Sequence, residues 1–210
     1  MMETRATSDS DRLQSRLRPV RSGALTVDTH LDHFALVIYA VPPERLRALI
    51  PGERFDLELV SIDGRESALV SAVPFLDVGF HFRALPIPRF SFGQTNYRAY
   101  VRDKRSGEPA VWFFGTTLGS PIVAIPRALW RIPWHRARYH FQCEYDAAAD
   151  RYARYEIDAE SDWSPMHLAL DDSGAAAGTQ SRHWSAGVRN SACYCHPGAS
   201  AIVLARNTRI

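Results

Sequence analysis

The chain has 210 residues, 46% of them hydrophobic, which is enough to bury one core, so a single domain with tails is expected. Its 25 basic residues are nearly balanced by 23 acidic ones, and the formal charge of +2 argues against nucleic acid or an anionic membrane as a partner. The three cysteines are too few for a secreted disulfide framework, and no apolar run is long enough to span a membrane. The composition therefore predicts a soluble, cytoplasmic protein.

The first elements along the chain are a polar tail, a strand and a short helix. Residues 1–28 lack a periodic apolar face and are predicted to be disordered. The apolar run at 34–41 is rich in β-formers and predicts a strand buried on both faces. Residues 44–50 place leucine and isoleucine at helical spacing, which predicts a short helix that ends before Pro51-Gly52.

Three β-hairpins are predicted in the middle of the chain. They pair residues 55–62 with 66–75, 92–102 with 110–118, and 138–145 with 151–157. The first turn is Asp63-Gly64, a dipeptide that adopts the positive φ angles of a tight hairpin turn. Ser120-Pro121 is typical of a helix start and predicts a second short helix that continues through Arg127.

Successive hairpins with one or two short helices are typical of a mainly β domain of α+β type. An antiparallel sheet or barrel is favoured over the parallel sheet of repeated βαβ units. We predict that residues 29–170 form this domain. The polar, alanine- and glycine-rich composition after Asp171 predicts that residues 171–210 are a peripheral C-terminal segment.

Three segments, 30–51, 92–101 and 112–133, carry a family resemblance, most specifically in Asn96-x-Arg98-x-Tyr100-Val101. The chain resembles the YqjF-like uncharacterised family, a domain of unknown function in the acetoacetate decarboxylase-like superfamily, over about residues 30–160. This resemblance implies a cone-shaped β-barrel whose interior holds a small keto acid. It also implies a lysine that forms a Schiff base with the substrate carbonyl, helped by a second cation.

The sequence departs from the decarboxylases at that lysine. In the family the lysine follows a string in which five residues separate an arginine from a proline. Arg127 and Pro133 match this string, but the residues after Pro133 are Trp134 and His135, neither of which is a lysine. The only lysine, Lys104, lies in a charged turn with no apolar neighbours in sequence. The resemblance therefore implies a protein that is not a lysine-dependent acetoacetate decarboxylase.

Two further positions differ from the family pattern. The substrate-binding arginine of the family corresponds to Asp32, and a glutamate before the asparagine corresponds to Gln94. Both substitutions remove groups on which the imine route depends.

Two clusters of potential metal ligands do not have the arrangement of a metal site. His30 and His33 are three residues apart, so on a strand their side chains point to opposite faces. Cys193, Cys195 and His196 have no partner cluster at the spacing of a zinc site. No nucleotide-binding or hydrolase motif is present, so no metal and no cofactor are predicted. The arginines and tryptophans between 127 and 138 are interpreted as arginine stems packed over buried rings.

The candidate site follows from the alternation of side chains along the strand at 92–101. Gln94, Asn96 and Arg98 share one face, where Arg98 offers a planar fork for a carboxylate and the two amides orient the rest of a ligand. Arg127 is a candidate second cation. The alternative is that this face is simply exposed to solvent.

The leading functional hypothesis is binding of a small organic ligand, carboxylated or apolar, without covalent catalysis. One alternative is an enzyme of different acid/base chemistry in the same cavity, with His135 as a weak candidate for its catalytic base. Another is a protein-interaction module. The sequence leaves open whether any reaction is catalysed, and it is compatible with an oligomer.

Overall fold

The computed structural model describes residues 26–120, 133–170, 182–183 and 201–208. The predicted second helix, Arg127 and the cysteine pair near the C-terminus lie outside these residues, as does most of the predicted N-terminal tail. No helix within the described ranges has the length and apolar character needed to cross a membrane.

The described residues are almost entirely β-structure, with one short helix, α1 (Pro43–Arg47). The twelve strands are β1 (Val27–Val41), β2 (Phe55–Leu57), β3 (Leu59–Ile62), β4 (Arg65–Phe82), β5 (Leu85–Asp103), β6 (Pro109–Leu118), β7 (Trp134–Arg136), β8 (Arg138–Asp146), β9 (Arg151–Glu160), β10 (Met166–Leu170), β11 (Arg182–His183) and β12 (Ala201–Thr208). The mainly β class predicted from the sequence is confirmed.

The strands form two sheets. In the main sheet the order is β11-β12-β1-β4-β5-β6-β7, with β2 and β3 paired beside β5 and β4. The last pair, β6 with β7, is parallel, so the prediction of a purely antiparallel sheet was wrong in this respect. Strand β7 follows β6 only after the segment 119–133, which is long enough for the crossover connection that two parallel strands require. The described pairings do not close the main sheet into a barrel.

The second sheet has the order β10-β9-β8 and packs against one face of the main sheet. The core between them includes Val37, Ala99 and Val101 from the main sheet together with Tyr155 and Ile157 from the second sheet, all at most 2% exposed. These residues alternate with more exposed ones along β1, β5 and β9, as expected for strands that pack through one face. Packing in this core therefore determines which face of each strand remains available for a binding site.

The three predicted hairpins are present. Asp63 and Gly64 have φ angles of 50° and 75° and join β3 to β4 in the predicted two-residue turn. The strand predicted at 55–62 is divided, because β2 pairs with β5 whereas β3 pairs with β4. The sequence analysis missed the long hairpin of β4 with β5, which continues to the pair Phe82 and Leu85. It also missed β10.

Strand β1 differs from its prediction in burial. Ala35, Val37 and Tyr39 are buried, but the residues between them are only half-buried, so the strand is not equally covered on both faces. At its other end the register shifts and His33 has a φ of 53°, with its Nδ1 3.3 Å from the hydroxyl of Tyr152. Burial lowers the pKa of His33.

The two ends of the domain remain predictions. Residues 201–208, inside the segment predicted to be peripheral, form β12, which pairs with β1 from Leu31 to Tyr39. Part of the C-terminal segment is thus an inner strand of the main sheet in the described structure. The proteolysis experiment proposed below tests the boundaries at residues 29 and 170.

Candidate functional site

The predicted site residues of β5 share one face of the main sheet, which we call the Arg98 face. It is formed by Gln94, Asn96 and Arg98 together with Ser71 on β4 and Thr116 on β6, which lie opposite Arg98 and Asn96 respectively. The alternation predicted from the sequence is confirmed, because the three residues of β5 are half-buried while the residues between them are buried on the other face.

Hydrogen bonds connect the polar groups of the Arg98 face. The Gln94 Nε2 donates to Asn96 Oδ1 at 3.0 Å, and the Thr116 hydroxyl donates to the same oxygen at 2.8 Å. Arg98 Nε donates to the Ser71 hydroxyl at 3.1 Å. Both hydroxyl-bearing residues are buried, at 3% exposure for Ser71 and 5% for Thr116. The side chains of β5 are therefore held in defined orientations by partners on the neighbouring strands.

Arg98 keeps part of its guanidinium available. Within the described ranges its one hydrogen bond is through Nε, so both Nη groups have no partner there. A guanidinium fixed through Nε presents two parallel N–H groups, the arrangement that binds a carboxylate with two hydrogen bonds. The Asn96 amide nitrogen is a further donor, because Asn96 uses its oxygen for the bonds to Gln94 and Thr116.

Apolar side chains surround these polar groups on the same face. Val73 and Phe75 lie opposite Asn96 and Gln94 on β4, and Leu118 lies opposite Gln94 on β6. All three are at most 6% exposed. A small set of fixed polar groups within an apolar surface is typical of small-molecule sites.

The opposite face of β5 is fixed to the second sheet by Tyr139. Its hydroxyl donates to Thr95 Oγ1 at 2.8 Å and lies 2.7 Å from Thr117 Oγ1. The ring packs directly on Gly93, where a Cβ atom would lie 2.3 Å from the ring carbon Cγ. Only glycine allows this approach, and burial raises the pKa of Tyr139 far above its ordinary value.

A buried carboxyl group lies at one end of the Arg98 face. Asp77 is 5% exposed and faces Phe92 across the strand pair, which makes it the diagonal neighbour of Gln94, at a Cα separation of about 7–8 Å. The Thr29 hydroxyl donates to its Oδ1 at 3.2 Å. Burial raises the pKa of Asp77 to about 6, and the bond from Thr29 offsets only part of this effect.

His135 is not brought together with the predicted ligand-binding residues. Strand β7 places Trp134 beside Thr116 and His135 beside Thr117, and these two threonines point to opposite faces of β6. His135 therefore lies on the face turned toward the second sheet, where its ring stacks on Trp163 at 4.1 Å between centroids. Its role as a catalytic base stays a prediction.

The other positions singled out by the resemblance are also separated. Asp32 pairs with Leu76 of β4, whereas Gln94 pairs with Phe75, the residue of β4 directly before Leu76. Because adjacent residues of a strand point to opposite faces, the side chains of Asp32 and Gln94 lie on opposite faces of the main sheet. Lys104 lies in the turn after β5, where its amine donates to the carbonyl of Gly52 at 2.6 Å. Arg127 lies outside the described residues.

The sequence analysis missed three residues of this face. Ser71, Thr116 and Asp77 are polar residues within strands that are otherwise strongly apolar, and this contrast was the available signal. Alternation alone could not identify them, because their partnership with β5 depends on the register between strands.

A large groove lies elsewhere in the described structure. It has a volume of about 1270 Å³ and runs along the end of the second sheet. Its lining includes Arg136, Arg138, His140, Asp158 and His167, but none of the predicted residues of the Arg98 face.

Comparison with protein families supports the resemblance. The model of DUF2071, a family described as an uncharacterized conserved protein, matches residues 28–188. None of the curated proteins compared with the chain matches it.

Solved structures with a similar fold include acetoacetate decarboxylase-like proteins. An acetoacetate decarboxylase-like enzyme from Sphingomonas wittichii RW1 is 10% identical with a TM-score of 0.50, over 89% of this chain and 93% of that one. The enduracididine biosynthesis enzyme MppR, in complex with a condensation product of pyruvate and imidazole 4-carboxaldehyde, is 14% identical with a TM-score of 0.47, over 72% of this chain. Acetoacetate decarboxylase from Legionella pneumophila is 12% identical with a TM-score of 0.42, over 81% of this chain. The chain spans 59% of the length of MppR and 61% of that of the Legionella enzyme.

Proposed function

We propose that this chain, which belongs to the DUF2071 family, binds a small carboxylated organic ligand on the Arg98 face and does not use Schiff-base catalysis. The observation that carries the proposal is the guanidinium of Arg98, held by Ser71 through Nε with both Nη groups free of partners in the described structure. The apolar side chains around it would contact the remainder of the ligand. A closed, cone-shaped barrel around this face is part of the same proposal.

The chemistry of the Arg98 face supports binding of an anion. Burial of an unpaired polar group costs roughly 2–7 kcal/mol on transfer scales, so half-buried amides and a guanidinium are retained where each finds a partner. Gln94, Asn96 and Thr116 provide partners for one another. Among the described residues Arg98 has one partner, Ser71, and a ligand carboxylate would supply others.

The position of the only lysine supports the absence of Schiff-base chemistry. Lys104 is 40% exposed and its amine lies 3.2 Å from a carboxylate oxygen of Asp56. A lysine suited to imine formation is instead desolvated or placed beside another cation.

A thermal-shift screen of small carboxylic acids tests the binding proposal, with the corresponding primary amides as neutral controls. An acid present at a hundred times its dissociation constant should stabilise the protein by about 2.7 kcal/mol. Arg98→Ala should abolish this stabilisation and leave the unliganded melting temperature close to that of the wild type. Arg98→Lys should restore it only in part, because an ammonium keeps the charge but lacks the planar fork.

Arg102→Ala is the matched control, because Arg102 lies on the same strand but is exposed and pairs with Glu58 at 3.0 Å. It should leave the ligand effect unchanged. Equal stabilisation of the wild type and Arg98→Ala by the same acid would show that the ligand binds elsewhere. Unfolding of Arg98→Ala without ligand would show that the arginine is structural.

An acid/base enzyme at the same face is the second candidate, and Asp77 favours it. A buried carboxyl with a pKa of about 6, at one end of the Arg98 face, has the properties of a group that exchanges protons near neutral pH. Exchange of the α-protons of a bound keto acid with D₂O, followed by proton NMR, tests this candidate. Loss of exchange in Asp77→Asn would support it, and exchange that is no faster than without protein would contradict it.

A further inference from the structure

Three side chains form a row across the second sheet. The register places His140 opposite Asp158, and Asp158 opposite His167, on three adjacent strands. The residues on either side of them, such as Ile157 and Leu168, are buried in the core. Because side chains alternate along a strand, the row lies on the outer face of the second sheet.

Donor atoms of Asp158, His167 and the neighbouring Glu156 are close together. His167 Nδ1 lies 2.6 Å from Asp158 Oδ1. Glu156 is two residues before Asp158 and shares its face, and one donor atom each from Glu156, Asp158 and His167 lie within 4.8 Å of one another. Donor atoms bound to one zinc ion at about 2.0–2.1 Å are separated by roughly 3.3 Å in a tetrahedron, so small side-chain movements would suffice.

We propose that Glu156, Asp158 and His167 form a binding site for a divalent transition metal of the zinc class. Imidazole nitrogen combined with carboxylate oxygen is a donor set that Zn²⁺ accepts, whereas Mg²⁺ and Ca²⁺ prefer oxygen alone. The three residues lie on the adjacent strands β9 and β10, whose separation of about 4.8 Å is fixed by backbone hydrogen bonds. The site could not be identified from the sequence, because strand pairing brings its ligands together.

Arg154 competes with the metal for one of these ligands. Its Nη2 lies 2.7 Å from Glu156 Oε2. The guanidinium of Arg154 would repel a cation bound at Glu156, because two positive charges would then lie close to the same carboxylate. Removal of the arginine should therefore strengthen metal binding, whereas the same change would not strengthen a purely structural His167–Asp158 ion pair.

The site faces the groove at the end of the second sheet. Asp158 and His167 both belong to the groove lining. An ion held by three protein ligands would keep a coordination position accessible to water and to small molecules in the groove, which distinguishes this site from a structural zinc site closed by four protein ligands.

Isothermal titration with ZnSO₄ on the full chain tests the proposal. The protein should carry Cys193→Ser and Cys195→Ser, so that thiols near the C-terminus do not contribute. One equivalent should bind, and His167→Ala and Asp158→Asn should each weaken binding by about ten-fold or more. Arg154→Ala should tighten it.

His30→Ala is the matched control, because it removes an exposed histidine from the main sheet. It should not change the affinity. Unchanged affinity in both His167→Ala and Asp158→Asn would overturn the site, and an unchanged affinity in Arg154→Ala would overturn Glu156 as a ligand. The affinity of His167→Gln, together with melting curves of the variants in EDTA, shows whether a loss of metal affinity reflects the loss of a ligand or the loss of the fold.

Discussion

The carboxyl group of Asp77 should make the stability of this protein depend on pH. It is 5% exposed, and its pKa is raised from 3.8 to about 6 because burial disfavours the charged form. Below about pH 4 the carboxyl is protonated in both the folded and the unfolded chain, so its burial does not lower the free energy of unfolding. Above about pH 6 it must ionise inside the fold, so stability falls as the pH rises between these values.

The magnitude follows from the size of the shift. One pKa unit corresponds to about 1.4 kcal/mol, so a change from 3.8 to about 6 corresponds to at most about 3 kcal/mol. Asp77→Asn keeps the shape and the acceptor for the Thr29 hydroxyl but cannot ionise. The variant should therefore be more stable than the wild type near pH 8, by up to about 3 kcal/mol, and should show little gain near pH 4.

Urea unfolding at a series of pH values measures this difference. In the difference in free energy of unfolding between variant and wild type, the contributions of all other titrating groups cancel. Asp103→Asn is the control, because the pKa of this half-buried carboxyl is lowered, chiefly by the hydrogen bond from the backbone N–H of Arg105. That variant should be less stable than the wild type near neutral pH. A difference for Asp77→Asn that does not change with pH would refute the reasoning.

Three further predictions concern the rest of the chain. Gly93→Ala should destabilise the fold by about 1–3 kcal/mol in urea unfolding, because its Cβ would overlap the ring of Tyr139, whereas Gly52→Ala, with open space around it, should not. Borohydride reduction with a keto acid should add no mass at Lys104, and a mass gain that Lys104→Arg removes would contradict the proposed absence of imine chemistry. Limited proteolysis should cut first outside residues 29–170; initial cuts within that range, with both ends intact, would show that the domain boundaries are wrong.

The local pattern of the sequence was sufficient to predict individual hairpins. Asp63-Gly64 specifies its turn through backbone angles that few other dipeptides adopt, and the structure has that turn. The alternation along β5 likewise predicted which of its side chains share the Arg98 face. Both predictions depend on interactions within a few residues of chain.

Relations between distant strands could not be predicted in the same way. The parallel pairing of β6 with β7 and the pairing of β12 with β1 depend on which edge of a sheet each strand finds. Ser71 and Asp77 joined the candidate site only through the register of β4 with β5, and a shift of one residue would turn both to the opposite face. The long apolar run at 66–75 gave no indication of that register.

The two faces of β5 link the core to the candidate site. Gly93 and Thr95 hold Tyr139 of the second sheet, while Gln94 and Asn96, the residues next to them, form the polar part of the Arg98 face. Because adjacent residues share one backbone, any shift of β5 relative to Tyr139 also moves the amides of the site. The precision required to bind a small ligand is therefore supplied by packing on the opposite side of the same strand. A substitution at Gly93 should consequently weaken ligand binding even though residue 93 faces away from the ligand.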